Sequence, residues 1–316
     1  MNEHENNVMI QTVLRVIPIK LREKLKTALS VVWNSVQDIV LRAEKPVCVY
    51  LGRNQMYLTR TGCLTDCLNS QELQIASVSD VLECFNIACG YSVYSHLNEI
   101  KEGFITINGG HRVGISGTAV VCGGDIQNIR NVSTVSIRLS RQIKRCAESI
   151  ANDALKSAGG LLLCGSPASG KTTMLRDMAR LLSTEYGGRV ALIDTRGELA
   201  SVYNGVPQND IGLSDVLDLY PRTQGIEQAI RSLSPEFIIC DEIGSKDDAN
   251  AILQGVNCGV RFVASMHAGN MDELRRRKNI SEIISTGAFD KVVFLSGREN
   301  AGQICNKISI QELCCV

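Results

Sequence analysis

The stretch from Leu161 to Leu182, LLLCGSPASGKTTMLRDMARLL, constrains the fold of this chain more than any other feature. It opens with four apolar residues, 161–164, which are enough for a buried parallel strand. The eight residues from Gly165 to Thr172 fit the phosphate-loop pattern G-x-x-x-x-G-K-[ST], and apolar residues at helical spacing follow. Because strand, glycine loop and helix are the context that this pattern requires, the stretch predicts a nucleotide-binding loop rather than a glycine turn before a core helix.

Each part of this loop has a physical task. Its glycines allow the backbone to wrap a phosphate with the N–H groups pointing inward, and the helix start adds partial positive charge. Lys171 is expected to reach the β- and γ-phosphates of ATP, and the Thr172 hydroxyl is expected to bind Mg²⁺. The predicted nucleotide-binding residues are Gly165, Ser166, Pro167, Ala168, Ser169, Gly170, Lys171, Thr172 and Thr173.

The second half of the chain alternates predicted strands with predicted helices. This alternation is typical of a mostly parallel sheet with helices on both faces, so we expect an α/β fold with a RecA-like P-loop ATPase core. The predicted strands are residues 160–164, 189–193, 236–240, 261–265 and 291–295, with a final extended piece at 303–311.

The first half has a different pattern, which predicts a smaller α+β domain before the ATPase core. Helical periodicity covers residues 19–29 and 91–100, and three strands follow, separated by Gly-Gly turns. The predicted strands are residues 103–108, 112–121 and 125–139. A helix over residues 143–158 is expected to join the halves, so the predicted domains are residues 1–145 and 146–316.

An apolar strand at residues 237–240 ends in two acids, Asp241 and Glu242. Sites of parallel sheets form at the C-terminal ends of the strands, so both side chains are expected beside the phosphate loop. Asp241 would hold Mg²⁺, and Glu242 would orient and deprotonate the attacking water. The structural alternative is an acidic pair that caps the next helix.

Two further strand ends carry polar residues. The strand at 189–193 lies between the loop strand and the acidic strand in sequence, and it is followed by Asp194 and Glu198. These acids are candidates to shape the Mg²⁺ shell or its waters, with a surface loop as the alternative. The strand at 261–265 ends in Ser265 and His267. Ser265 could sense the γ-phosphate and His267 could link it to the acids, although a lone histidine is more often structural.

Two groups of basic residues have both an ordinary and a functional interpretation. The arginines Arg112, Arg130 and Arg138 on the first-half strands could form exposed salt bridges, or could supply charge to a phosphate from a neighbouring domain or subunit. The run at residues 275–278, RRRK, fits a solvated helix face, with an anionic partner or a subunit contact as the alternative.

Composition excludes several classes of protein. The 33 basic and 33 acidic residues give zero net charge, which argues against binding dominated by a phosphate backbone. No apolar run approaches a membrane span, and the polar, acidic N-terminal stretch is unlike a signal peptide. The 13 cysteines lack zinc-site spacing, and Cys48, Cys164 and Cys240 lie in apolar runs. Reduced cytosolic thiols are therefore expected.

Over nearly its whole length the chain resembles the family of stage III sporulation protein AA, a relative of the type II and type IV secretion ATPases. The resemblance rests on several motifs besides the phosphate loop. Arg231 and Pro235 lead into the acidic strand with the family's Arg-x-x-x-Pro spacing, and residues 109–117, GGHRVGISG, resemble its glycine-rich strand pair. Residues 194–200 resemble the acidic box, and residues 259–268 resemble the histidine box.

The sequence also departs from these families at three positions. Thr195 stands where the sporulation family often has an acid, so Glu198 is the firmer candidate in the acidic box. Asp241 stands where secretion ATPases often have glycine, which gives a more conventional Mg²⁺ site. Ser265 stands where threonine is common, which retains the hydroxyl.

The resemblance implies an assembly as well as a reaction. It implies a ring, a homo-hexamer, with ATP bound near subunit boundaries and with Arg112 and Arg138 as candidates to reach a phosphate. It also implies docking to membrane proteins of a secretion-like complex built during sporulation, and thus a cytoplasmic protein that is recruited peripherally to a membrane.

The sequence therefore predicts a Mg²⁺-dependent ATPase with ATP as its nucleotide. The predicted catalytic residues are Lys171, Asp241, Glu242, Glu198, His267, Arg112 and Arg138, with Thr172 and Asp241 as Mg²⁺ ligands. One alternative is a nucleic-acid-dependent RecA-like motor. The zero net charge weighs against this alternative, so nucleic acid is not an expected partner. The other is a nucleotide-gated assembly scaffold with little turnover.

Overall fold

The computed structural model describes residues 3–52 and 54–314. The chain divides into two compact units, residues 1–141 and 142–316, a few residues before the boundary expected from the sequence. Each unit has its own sheet and its own hydrophobic core.

The first unit is built from short helices and a larger number of strands. Its helices are α1 (Glu3–Val16), α2 (Ile19–Leu29), α3 (Val78–Ala88) and α4 (Leu97–Lys101). Its strands are β1 (Val36–Arg42), β2 (Lys45–Pro46), β3 (Cys48–Leu51), β4 (Asn54–Leu58), β5 (Leu64–Thr65), β6 (Ile75–Ala76), β7 (Phe104–Ile107), β8 (His111–Cys122) and β9 (Asp125–Arg138).

Seven of these strands form one antiparallel sheet, in the order β5-β4-β3-β1-β9-β8-β7, and β2 pairs with β6. The core packs apolar residues of α1, α2 and α3 with inward residues of the sheet, among them Leu21, Ile39 and Val135. The strands β8 and β9 are joined by the predicted Gly123-Gly124 turn, in which both glycines have positive φ. The first unit is thus α+β, as the sequence predicts.

The second unit alternates strands and helices along the chain. Its strands are β10 (Gly160–Cys164), β11 (Val190–Asp194), β12 (Val202–Tyr203), β13 (Val206–Pro207), β14 (Asp215–Asp218), β15 (Phe237–Cys240), β16 (Arg261–Met266), β17 (Phe289–Leu295) and β18 (Ile304–Ser309). Its helices are α5 (Glu148–Lys156), α6 (Lys171–Arg180), α7 (Arg222–Leu233), α8 (Lys246–Asn257), α9 (Met271–Arg275), α10 (Ile280–Ser285) and α11 (Ile310–Cys314). A π-helical turn, Leu181–Glu185, continues α6.

The main sheet of this unit has the strand order β14-β11-β15-β16-β10-β17-β18. All its pairings are parallel except that of β17 with β18, so six strands end at the same edge. The strand between the loop strand β10 and the acidic strand β15 is β16, which follows both of them in sequence. The prediction of a mostly parallel sheet is confirmed.

Helices cover both faces of this sheet because its central strands are apolar on both sides. Along β10, Leu161 and Leu163 face the core formed with α5 and α6, whereas Leu162 and Cys164 face the core formed with α7 and α8. This two-sided burial explains why the strand appears in the sequence as a continuous apolar run rather than as an alternating one.

Two helices predicted from periodicity are shorter than expected. The helix predicted over 143–158 begins only at Glu148, because Arg145 has a φ of +63° and the backbone before it is not helical. The helix predicted over 91–100 is a 3₁₀ turn, Val93–His96, followed by α4. Tyr91 has a φ of +60°, a left-handed conformation that a residue within a right-handed helix does not adopt, so Tyr91 lies outside the helix.

The described residues 3–52 and 54–314 contain no helix with the length and apolar character needed to cross a membrane. The cysteines that the sequence places in apolar runs, Cys48, Cys164 and Cys240, are buried free thiols.

Candidate active site

The loop between β10 and α6 adopts a conformation that favours small residues. Ala168 and Gly170 have positive φ values of +62° and +95°. A Cβ atom added at Gly170 would lie 2.9 Å from the backbone nitrogen of Gly302, so packing as well as conformation requires glycine. The N–H of Gly302 donates a hydrogen bond to the Ser169 carbonyl oxygen at 2.8 Å. The connection between β17 and β18 thereby supports the loop.

The ammonium group of Lys171 is folded back over this loop. Its Nζ donates to the carbonyl oxygens of Gly165 at 2.9 Å and Ser166 at 3.1 Å, and the residue is 6% exposed. Burial lowers the pKa of Lys171 below its ordinary value, and the carboxylates of Asp241 and Glu242 oppose that shift. An anion bound in the loop would therefore stabilise the charged form of a partly desolvated amine.

Asp241 lies beside the loop and accepts two hydrogen bonds from hydroxyl groups. The Thr172 Oγ1 donates to its Oδ2 at 2.9 Å, and the Ser265 Oγ donates to its Oδ1. Hydroxyl and carboxylate oxygens are the ligands that Mg²⁺ prefers, and Mg²⁺ sites with phosphate substrates commonly use one or two protein oxygens. Thr172 and Asp241 therefore fit a Mg²⁺ ion that is also held by phosphate oxygens.

Glu242 follows directly and has a φ of +54°, an uncommon conformation for a residue with a side chain and one that occurs often at functional sites. Its N–H donates to the Ser265 Oγ at 3.0 Å. One carboxylate oxygen, Oε1, accepts from His267 Nε2 at 2.7 Å, and the other, Oε2, contacts Arg196 Nη2 at 2.7 Å. Both oxygens of Glu242 are thus paired.

His267 connects Glu242 with the phosphate-loop lysine. Its Nδ1 lies 3.2 Å from Lys171 Nζ, while its Nε2 contacts Glu242. An ammonium group only donates and a carboxylate only accepts, so these partners require a histidine that accepts at Nδ1 and donates from Nε2. Lys171, His267, Glu242 and Arg196 therefore form one continuous chain of polar contacts across the ends of the parallel strands.

Asp194 ends β11, and Glu198 lies in the loop that follows it. Asp194 is 2% exposed and accepts from the backbone N–H groups of Glu198 and Ala200, each at 2.8 Å. Burial raises the pKa of Asp194, and these hydrogen bonds oppose that shift. Its carboxylate thus fixes the loop that follows β11. Asp194 and Glu198 both line a small recess together with Asp241 and Glu242, so both acids lie beside the candidate site.

Arg112 and Arg138 lie in the first unit, directly opposite each other on β8 and β9. The Arg138 Nε pairs with Asp38 Oδ1 at 3.0 Å, and the Arg112 guanidinium lies 4.4 Å from the centre of the Phe104 ring. Both arginines thus contact residues of their own unit.

Five of the predicted site residues lie together at the ends of the neighbouring strands β15, β16 and β10. They are Lys171, Thr172, Asp241, Glu242 and His267. Arg196 was not singled out from the sequence. Its position could have indicated a place in the site, because Arg196 lies two residues after a parallel strand, and residues there reach the same sheet edge as the acids.

The comparisons with known proteins agree with this architecture. The sequence pattern of the family described as "Sporulation stage III, protein AA" matches residues 8–310. Stage III sporulation protein AA of Bacillus subtilis (strain 168) is 32% identical over 294 residues, which cover 90% of this chain and 91% of the relative.

Solved structures share the fold at low sequence identity. The ATPase DotB of Legionella pneumophila superposes with a TM-score of 0.57 and 16% identity, over 88% of this chain and 76% of that one. The pilus retraction motor PilT with bound ADP superposes with a TM-score of 0.55 and 13% identity, over 84% of this chain and 76% of that one. Together with the match over nearly the whole sequence, the shared RecA-like P-loop fold leads to one assignment: the chain belongs to the stage III sporulation protein AA family.

Proposed function

We propose that this chain is a Mg²⁺-dependent ATPase that hydrolyses ATP to ADP and phosphate. The observation that carries the proposal is the chain of contacts from Lys171 through His267 to Glu242, beside the hydrogen-bonded pair of Thr172 and Asp241. Lys171 is connected to Glu242 through His267, and Thr172 contacts Asp241. These residue types are the ones that phosphoryl transfer to water requires for phosphate binding, Mg²⁺ binding and general-base catalysis, which supports the proposal.

The roles follow from the chemistry of each group. The loop N–H groups and Lys171 bind the phosphates. Thr172 and Asp241 would hold Mg²⁺, which would neutralise negative charge on the phosphate oxygens. Glu242 accepts a proton from the attacking water. His267 orients the Glu242 carboxylate and relates its position to that of Lys171, and Glu198 contributes to the water network beside Asp241.

The larger assembly rests on resemblance. Arg112 and Arg138 are candidates to contact a phosphate from the first unit of the same or a neighbouring subunit. We propose a homo-hexamer that is recruited from the cytoplasm to membrane proteins of a secretion-like complex, which it energises or assembles during sporulation. The shared fold of the pilus retraction motor and the family assignment support this proposal.

The test is phosphate release by the purified full chain with Mg²⁺ and ATP, measured across protein concentration. Glu242→Gln is expected to reduce turnover at least about 100-fold while ATP binding persists, because a general base is removed. Glu236→Gln is the matched control, since Glu236 precedes the same strand and pairs with Arg189 on the surface at 3.8 Å.

A rate that rises cooperatively with concentration would support a ring with shared sites. Parental turnover in Glu242→Gln would contradict the assigned base. Tight ATP binding without turnover, at every concentration and with or without DNA, would instead favour a nucleotide-gated scaffold, and turnover that appears only with DNA would favour a nucleic-acid motor.

A further inference from the structure

A cavity of about 280 Å³ opens on the side of Glu242 and His267 that faces α9 and α10. Its walls are residues 242–244 after β15, Met266 and His267 at the end of β16, and Arg277 and Lys278 after α9. The cavity therefore shares two residues with the candidate active site, while its outer wall comes from the basic run at residues 275–278.

The positive charges of this outer wall have no ion-pair partner among the described residues. Neither Arg277 nor Lys278 forms an ion pair or a side-chain hydrogen bond in that part of the chain. The one carboxylate on the cavity wall belongs to Glu242, whose oxygens already contact His267 and Arg196. Two cations thus line a cavity that has room for an anion.

The charge of Arg277 also acts on the phosphate-loop strand. Burial raises the pKa of the Cys164 thiol to about 12, and the positive charges of Lys171 and Arg277 oppose that shift. Cys164 is the last residue of β10, directly before the loop. Arg277 and Lys171 therefore act electrostatically on the same strand end.

The cavity is open at Gly244. A Cβ atom added there would meet no atom within 4 Å, so only the backbone of Gly244 forms the wall at this point. The Gly244 N–H donates to Asp248 Oδ2 at 2.9 Å, which fixes the backbone without filling the cavity. The Cβ atom of a side chain introduced at this position of the cavity wall would therefore meet no clash.

We propose that this cavity is a second anion site, which takes the inorganic phosphate released by hydrolysis and holds it with Arg277 and Lys278. The proposal rests on the proposed ATPase function, because hydrolysis supplies the phosphate. The phosphate leaves the candidate site past His267, which contacts Lys171 on one side and lines the cavity on the other. Arg277 and Lys278 neutralise its charge after the contact with Lys171 is lost.

The experiment is a calorimetric titration of the full chain, saturated with Mg²⁺ and ADP, with inorganic phosphate. Replacing both cations, Arg277→Gln with Lys278→Gln, is expected to raise the Kd for phosphate at least about tenfold, because two charge-assisted contacts are lost. Arg276→Gln is the matched control, since Arg276 belongs to the same basic run but does not line the cavity. It is expected to change the Kd less than about twofold.

A second variant tests the same cavity from the opposite wall. Gly244→Asp places a carboxylate beside the two cations, where it competes with phosphate, and is expected to weaken phosphate binding to a similar degree. The double glutamine variant changes two exposed side chains, so it leaves the cores of the unit intact.

The anion that binds in the cavity could instead be the terminal phosphate of bound ATP. The affinity for ATP distinguishes this source from released inorganic phosphate. An ATP Kd unchanged within about twofold in the double variant supports a site for released phosphate. An equal loss of ATP and phosphate affinity, or unaltered phosphate binding in the double variant, would overturn the proposal. Because phosphate binding is measured without turnover, this result does not depend on whether the chain hydrolyses ATP.

Discussion

Glu242 is held by two partners of unequal strength. His267 lies between Glu242 and Lys171, whereas Arg196 is 65% exposed and reaches the carboxylate from a loop. An ion pair with so exposed a partner contributes only about 0.2–1 kcal/mol and opens readily. Arg196 can therefore orient Glu242 without holding it permanently away from a water molecule.

This argument predicts the effect of Arg196→Gln on turnover. We expect kcat to fall about three- to tenfold with little change in the KM for ATP, because the carboxylate is less well oriented while the phosphate contacts persist. Arg196→Lys should recover most of the rate, since it restores a positive charge. Steady-state phosphate release measures both constants.

Arg189→Gln provides the control. Arg189 lies just before β11, at the opposite end of the strand from Arg196, and it pairs with Glu236 on the surface. A raised KM at unchanged kcat in Arg196→Gln would mean that Arg196 contacts the nucleotide instead of Glu242.

A histidine of the first unit makes stability depend on pH. His111 is 1% exposed, and its Nδ1 accepts from the Ser140 N–H at 3.0 Å. Burial lowers the pKa of His111 to about 4, and the charge of Arg141 acts in the same direction. In the unfolded chain its pKa is about 6.5, so the unfolded chain binds more protons between these values.

The stability that comes from keeping His111 neutral should therefore be fully present above about pH 6.5 and be lost as the pH falls toward about 4. This group alone should lower the free energy of unfolding by an amount on the order of 3 kcal/mol over that range. Urea denaturation across this range measures the slope. His111→Asn keeps an acceptor near the position of Nδ1 but does not titrate, so its slope should be shallower. Identical slopes in the two proteins would contradict the assignment.

At the level of secondary structure, the hairpin of β8 and β9 is longer than the sheet that supports it. The strand β7 pairs with residues 111–114 of β8, and β1 pairs with residues 134–138 of β9. Beyond these residues the two strands pair with each other and, among the described residues, with no third strand. The register shifts by two residues between Ser116 and Thr118, where Gly117 faces a bulge formed by residues 131–133 of β9.

Two glycines of β8 should respond differently to substitution by alanine. A Cβ atom at Gly117 would lie 2.7 Å from the Arg130 carbonyl oxygen and 2.9 Å from that of Asn131, whereas at Gly114 the nearest atom is 3.6 Å away. Gly117→Ala should therefore lower the free energy of unfolding by about 1–3 kcal/mol, because the facing backbone must move.

Gly114→Ala is the control in the same strand and should be tolerated, since its Cβ would have ordinary contacts. Urea denaturation of both variants measures the difference. Equal stability of the two would mean that the bulge adjusts without strain.

The elements most accessible to sequence reasoning were those buried on both sides. The apolar run of β10 and its glycine loop predicted the strand, the turn and the helix, because burial on two faces and positive φ leave a clear pattern. The edge strand β14, Asp215–Asp218, was not predicted, because it is short, bounded by aspartates and exposed on one side. Its place beside β11 depends on pairing that no local pattern records.

The site could be predicted in its components but not in its connections. Asp241, Glu242 and His267 were found because each follows a buried strand, and strand ends of a parallel sheet share one edge. The contact of Arg196 with Glu242 depends on the turn that the Asp194 carboxylate fixes through the N–H groups of Glu198 and Ala200. The turn itself is local, but the contact between Arg196 and Glu242 joins the ends of two strands, and no local sequence pattern records that pairing.

The two units differ in how their cores are assembled. The first has one core, on which α1, α2 and α3 pack against an antiparallel sheet. The second has two, one on each face of its parallel sheet, and the strand ends of that sheet carry the candidate site. Each core draws its members from a single unit, as expected for separate domains.

The folded-back Lys171 implies that nucleotide binding is an exchange of partners. Its amine already donates to two loop carbonyl oxygens, and Thr172 already donates to Asp241. Each contact that Mg²⁺ and ATP make with these groups replaces one that the loop makes with itself or with Asp241. The measured affinity is therefore a difference between two sets of bonds, and the heat released on binding should be smaller than the number of new contacts suggests.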